Sequence, residues 1–243
     1  MDYMFSGCES LTYIDLSDFN LENLIDAGYM FYNCKNLKEI KFNDNTKAKH
    51  IEYMSSMFYG CKSLEKINTE IFKENKVTNF SYVFYNCRAL KELDLSNFEA
   101  RYITEFVSTF EYCTNLVELN LANFVSSKAI TTENMFANCQ SLTSLDLSEF
   151  YFDNLRVSSL MFSECYALKE IKFNENTKTK NLENMLQMFY CCESLEKINM
   201  KIFKENKVTN FNYVFYDCFS LKEIDLSYFE AKHIISARKV FED

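Results

Sequence analysis

Nine of the ten cysteines stand at a nearly constant interval: Cys8, Cys34, Cys61, Cys87, Cys113, Cys139, Cys165, Cys192 and Cys218, separated by 26 residues except for two gaps of 27. Three residues before each is a phenylalanine, from Phe5 to Phe215, and three after each is a leucine, from Leu11 to Leu221. A further unit opens at Phe241. Like residues at like intervals share like environments when the units stack as coils. One coil alone has too little apolar surface to offset the entropy of ordering itself, so each must cover its neighbour's open face.

Within a unit the apolar spacing changes period. Leu90 is followed by Leu93 and Leu95, and Leu142 by Leu145 and Leu147, the alternation of a short half-buried strand. Upstream of Phe84 lie Val77, Phe80 and Val83, and upstream of Phe189 lie Leu182, Met185 and Met188. These steps of three predict a short helical or 3-10 turn. The expected fold is an α/β repeat solenoid of about nine 26–27-residue coils, forming one domain over residues 1–243. A parallel β-sheet lines its concave face, and short helices or 3-10 turns line its convex face.

The run MFANCQSLTSLDLSEF, Met135 to Phe150, resembles the Treponema-type, BspA-like leucine-rich repeats, and the resemblance extends over essentially the whole chain. It implies a gently curved leucine-rich-repeat solenoid with a non-enzymatic adhesion or partner-binding role, commonly at a microbial or protist cell surface. Departures are modest: Thr69 and Met200 replace the last strand aliphatic, Asn45 and Asn176 the phenylalanine after the strand, and Thr109 the residue before Phe110. The resemblance implies a scaffold and no particular ligand.

Composition narrows the partners. A net charge of −9 disfavours nucleic acid and anionic membranes. No apolar run approaches the roughly 18 residues of a membrane span, so membrane insertion is not expected. With only 3 glycines and no proline, the turns must be of a repeated, unusual kind. The N-terminus lacks the basic flank and apolar stretch of a signal peptide and starts in repeat sequence, so a longer natural chain is expected. Neither end reads as a polar cap, so residues 1–243 alone are expected to associate end to end or to lose their terminal coils. Nine unbridged thiols suit a reducing compartment, which makes a cytoplasmic scaffold the alternative to a surface or secreted protein.

No catalytic motif is present: no phosphate-cradling glycine loop, no G-x-S-x-G, and no Cys/His pairing. No cofactor is expected. The cysteine column reads as metal ligands, as bridges between coils, or as buried thiols. The first lacks convergent C-x-x-C spacing, and a parallel ladder holds Cβ atoms about 4.8 Å apart, wide for a disulfide. Buried thiols fit best. Cys191 stands outside this column and is expected to be more exposed and more reactive.

The concave sheet face is the default place for binding in such solenoids, but here its outward strand positions read first as a self-satisfied polar sheet, less suited than usual to a strong ligand site. One column runs Tyr13, Glu39, Lys66, Glu92, Glu118, Ser144, Glu170, Lys197, Glu223, and the next Asp15, Lys41, Asn68, Asp94, Asn120, Asp146, Lys172, Asn199, Asp225. Opposite charges on adjacent strands, Asp15 with Lys41 and Asp146 with Lys172, should pair. Tyr13 is the residue of hot-spot type, and the stretch holding Glu92, Asp94, Glu118, Asn120, Ser144 and Asp146 should attract a basic protein partner. A second period overlies the first: residues 71–80 (IFKENKVTNF) recur at 202–211, an offset of 131 that also relates the two longer gaps. Either this is segmental duplication alone, or the loops Asn43–Lys49 and Asn174–Lys180, with Lys47, Lys49, Lys178 and Lys180, form part of a binding face. The tyrosines Tyr32, Tyr59, Tyr85, Tyr190 and Tyr216 are expected to be partly buried between coils or to form a sticky stripe.

Overall fold

The computed structural model describes residues 1–43 and 47–242. Six short strands lie at the predicted alternating segments: β1 (Tyr13–Leu16), β2 (Glu39–Phe42), β3 (Glu92–Asp94), β4 (Glu118–Asn120), β5 (Ser144–Leu147) and β6 (Glu170–Phe173). They pair in parallel as β1–β2, β3–β4 and β5–β6, each in a register offset by one repeat, such as Leu93 opposite Leu119. In β5, Leu145 and Leu147 point inward while Ser144 and Asp146 face solvent. The result is a repeat solenoid.

The return arm of each coil is held differently. A row of single parallel bridges runs through Asp26, Tyr53, Asn79, Glu105, Thr131, Val157, Asn184, Asn210 and Ser236. Beyond each bridge the backbone N–H groups alternate. Those of Tyr29, Phe31 and Asn33 donate to the next coil, at Ser55, Met57 and Tyr59, while those of Met30, Tyr32 and Cys34 turn back onto their own coil. The helices expected here do not form among the described residues. Steps of three arise instead from consecutive turns, because left-handed residues stand two before and two after each core phenylalanine. Tyr29 and Asn33 (φ 53° and 56°) flank Phe31, and Tyr82 and Asn86 (both 60°) flank Phe84. A left-handed residue every fourth position forbids a continuous right-handed helix and turns every second N–H toward the neighbouring coil. Non-glycine residues pay about 1 kcal/mol each for this conformation, and the bonds between coils offset it.

Glycine occupies two of these positions, Gly7 (φ +72°) and Gly60 (φ +71°). A Cβ on Gly60 would collide with the Asn33 side chain of the previous coil, whereas one on Gly7 meets open space. Gly7→Val is therefore expected to cost only the backbone strain, about 1–2 kcal/mol, and Gly60→Val clearly more. Urea unfolding midpoints of the two variants check this, and equal losses would show that Asn33 swings aside freely.

The core is a set of rows. Phenylalanine rings stack from Phe5 to Phe241, with centroids 5.3–5.8 Å apart and planes within 13° of parallel. The leucines from Leu37 to Leu195 in the row three beyond the cysteines are fully buried. Each cysteine from Cys34 to Cys218 in the repeat column donates its S–H to the carbonyl of the core phenylalanine one coil back, as Cys139 does to Phe110, at 3.0–3.2 Å. A small apolar side chain with a weak donor is what this position uses. At the two ends of the described stack Met1, Met4, Ile235 and Phe241 are exposed.

The strand face is interrupted where the return arm is not. No ladder joins β2 to residues 66–68, or β6 to residues 197–199, among the described residues. Each of these gaps follows a coil of 27 residues, whose extra residue lies beyond the strand. The row of bridges passes both places unbroken, so the coils stay stacked on the return side while the strands part on the other. Thr69 and Met200, at the end of the parted segments, open or precede the 3-10 turns Glu70–Phe72 and Met200–Phe203. The gaps between residues 66–68 and β3, between β4 and β5, and between residues 197–199 and 223–225 follow no insertion, and nothing in the structure explains them.

Candidate binding face

The aspartates of the second outward column have a local task. Asp15, Asp94, Asp146 and Asp225 each accept an N–H from the serine two residues on, at 2.8–2.9 Å, and Asn120 accepts from Ala122 in the same way. These are Asx turns that end the strand. Partial burial raises the pKa of Asp94, but hydrogen bonds from Ser96 and Asn120 outweigh it and hold the carboxyl below its usual range. One carboxylate oxygen thus shapes the turn, and the other faces outward.

The predicted charge pairs form: Lys41 Nζ lies 2.9 Å from Asp15 Oδ2, and Lys172 Nζ 2.9 Å from Asp146 Oδ2. Both are exposed pairs worth little to stability. Of the predicted site residues, the structure brings together Glu92, Asp94, Glu118 and Asn120 on β3 and β4, where Glu92 stands directly opposite Glu118. Ser144 and Asp146 sit on β5 and pair with Glu170 and Lys172 of β6, not with β4. Tyr13 is exposed on β1 and its hydroxyl lies 3.4 Å from Asp15 Oδ2.

The loop lysines are engaged. Lys47 and Lys49 approach Glu74 at 3.1 and 3.7 Å, and Lys178 approaches Glu205 at 2.8 Å. Lys180 is exposed. Asp44, Asn45 and Thr46 of the first loop lie outside the described residues. Glu74 and Glu205 occupy left-handed positions (φ 69° and 65°) in turns fixed by the buried Asn75 and Asn206. Each asparagine donates to the carbonyl three residues back and accepts the N–H two residues on.

Sequence reasoning missed the grooves that open where the strands part. One, of about 960 Å³, includes Lys66, Ile67, Lys91, Glu92, Leu93, Asp94, Glu118 and Asn120 in its lining, and a smaller one beside it is lined by Glu39–Phe42 and Lys66–Asn68. Another, of about 660 Å³, is lined by Glu170–Phe173, Glu175, Lys197–Asn199 and Glu223–Asp225. Every residue of this last groove except Glu175 has its counterpart 131 positions earlier lining one of the first two. The signal in the sequence was the pair of 27-residue gaps.

The half-buried tyrosines stack along the turns, with Tyr59 4.7 Å from Tyr32 and 4.4 Å from Tyr85, and Tyr190 5.2 Å from Tyr216. They are packed between coils. Cys191 is more exposed than the column from Cys34 to Cys218, as expected, though less so than Cys8, which at the end of the described stack is exposed and not buried. Nor is Cys191 activated, since burial pushes its thiol up to about 11 and it lies 3.5 Å from the Asp217 carboxylate. Among the described residues no cluster of three or more His, Cys, Asp or Glu could hold a metal, and no helix is long and apolar enough to cross a membrane.

The fold and this face define a repeat protein of stacked 26–27-residue coils. The chain belongs to the family described as "Mycoplasma protein of unknown function, DUF285", which matches residues 1–71, 52–176 and 161–243. No curated protein matches it. Solved structures similar to it include a leucine-rich repeat protein from Bacteroides ovatus (18% identity, 95% of this chain and 72% of that one, TM-score 0.44). Others are a leucine-rich repeat protein from Eubacterium ventriosum (16%, 97% and 77%, TM-score 0.39) and a leucine-rich cell surface protein from Faecalibacterium prausnitzii (15%, 87% and 82%, TM-score 0.34).

Proposed function

We propose that this chain is a non-enzymatic, leucine-rich-repeat binding module that holds a basic protein segment on its strand face. The observation that carries the reading is Glu92 facing Glu118 in register on β3 and β4. Like charges directly opposite on a ladder destabilise it. Asp15, Glu39 and Asp146 on the same face each meet a lysine of the next coil, yet among the described residues neither glutamate has an ion-pair partner. Asp94 adds a third outward charge beside them. A basic ligand would relieve this repulsion. The resemblance to BspA-like repeats supports adhesion at a cell surface as the setting of such a module, within one stack spanning residues 1–243.

Replacing both glutamates, Glu92→Gln with Glu118→Gln, should raise stability by about 0.5 kcal/mol while weakening binding of a capped hexalysine peptide several-fold at low salt. Urea unfolding and isothermal titration read the two effects. A double variant that is less stable, or that binds the peptide as before, ends the reading.

A further inference from the structure

The grooves of the strand face repeat. Ile67, Glu92 and Asp94 in one correspond to Ile198, Glu223 and Asp225 in the other, and each groove lies along a segment, 66–68 or 197–199, that joins no ladder on either side after a 27-residue coil. We propose that the protein carries two copies of one docking groove for an extended basic–aliphatic peptide, and that a partner presenting this feature twice is held at both. This rests on the reading that the strand face takes a basic segment.

Three observations fix the chemistry of the occupant. The floor of each groove is aliphatic: Ile67 is half-buried over Leu93, and Ile198 lies at the edge of burial beside Ile224. Next, the backbone N–H and C=O groups of Lys66, Ile67, Lys197 and Ile198 make no backbone hydrogen bond among the described residues, so they offer an extended chain the donors and acceptors of a ladder. Third, the charge is unbalanced in the same sense in both. Lys41, Lys66 and Lys172 are neutralised by Asp15, Glu39 and Asp146, whereas Glu92, Asp94, Glu223 and Asp225 have no ion-pair partner among the described residues and outnumber the one unpaired lysine of each groove, Lys91 and Lys197. An alternating Lys-and-Ile segment places its aliphatic side chains on the floor and its ammonium groups on these carboxylates.

The grooves are five coils apart, roughly 24 Å at 4.8 Å per strand. An extended linker of about seven residues spans that distance. Two weak sites so spaced act together, because the second contact is made at high effective concentration.

The test uses a capped pentapeptide alternating lysine and isoleucine, and a second peptide carrying two such segments joined by a ten-residue Gly-Ser linker. The variants are Glu92→Gln with Asp94→Asn, Glu223→Gln with Asp225→Asn, and all four together. Asparagine keeps the acceptor that each Asx turn needs, so the fold is preserved, and melting curves verify it. The single segment should bind the unaltered protein at two sites of similar affinity by titration calorimetry, and each double variant should retain one. The linked peptide should bind one to one and about 100-fold more tightly, with that gain lost in either double variant. One site only, or no gain from linkage, overturns the paired groove while leaving a basic partner on β3 and β4 in place. No binding of either peptide to the unaltered protein overturns both.

Discussion

Replacing Phe136 by alanine is expected to lower stability by about 3–5 kcal/mol and to divide unfolding into two steps. Phe136 is wholly buried, and its ring stacks on Phe110 at 5.4 Å and on Phe162 at 5.6 Å. The residue also carries two ties between coils: its N–H donates to Met161 and its carbonyl accepts the Cys165 thiol. In a stack each coil is stabilised by its two neighbours alone, so a cavity in the middle weakens the coupling between two halves and is not shared by a common core. Alanine leaves both backbone ties available but removes the ring contacts that hold the coils at their spacing. Phe241→Ala is the comparison, since that ring is half exposed at the end of the described stack and touches one neighbour, Phe215. It should cost under about 1 kcal/mol. Urea unfolding followed by circular dichroism, with hydrogen exchange to locate the first amides lost, measures both. A loss below about 1 kcal/mol for Phe136→Ala would mean that the ring row fills space without coupling the coils.

The rows were legible because a side chain that recurs every 26 residues must recur in place. Phe, Cys and Leu, and the alternation of strands such as Leu145–Leu147, were read directly. The return arm was not, since a step of three belongs equally to a helix and to a chain of turns. The distinction was written at Gly7, Asn33, Gly60, Asn86, Asn138 and Asp217, residue types that tolerate positive φ. The matching column two before each phenylalanine hid it, holding Tyr29, Leu160 and Gln187, which announce nothing of the kind. The aspartates of the D-L-S runs were read as surface charge, although the serine two residues on already marked an Asx turn. Charge reversal at Asp94 would therefore confuse binding with turn geometry. The loop lysines resembled free surface because their partners, Glu74 and Glu205, lie about one coil further along the chain. A one-residue change in spacing was visible at once, but that it parts the strands while the return arm holds follows only from two different hydrogen-bond patterns on the two sides of the coil.

Thiol chemistry should divide the cysteines more sharply than any other measurement. Burial lifts Cys113 and Cys165 to about 12, and places Cys87, Cys139 and Cys192 well above an ordinary thiol. Alkylation proceeds through the thiolate. At pH 8 a thiol at about 12 in place of 9.0 holds roughly a thousandth of the thiolate. The S–H bond to the phenylalanine carbonyl and the absence of solvent around the sulfur slow these sites further. Cys8, which is exposed, should be open to iodoacetamide, and Cys191, at about 11, should react roughly a hundredfold more slowly than an exposed thiol at 9.0. The buried set should stay unlabelled until the coils open, so that its labelling rate reports local unfolding, slowest in the middle of the stack. Mass spectrometry after timed labelling assigns each site. Labelling of Cys113 or Cys139 at a rate near that of Cys8, in protein that remains folded, would show that neighbouring coils separate readily. A stack that opened so easily could not hold two grooves at a fixed distance.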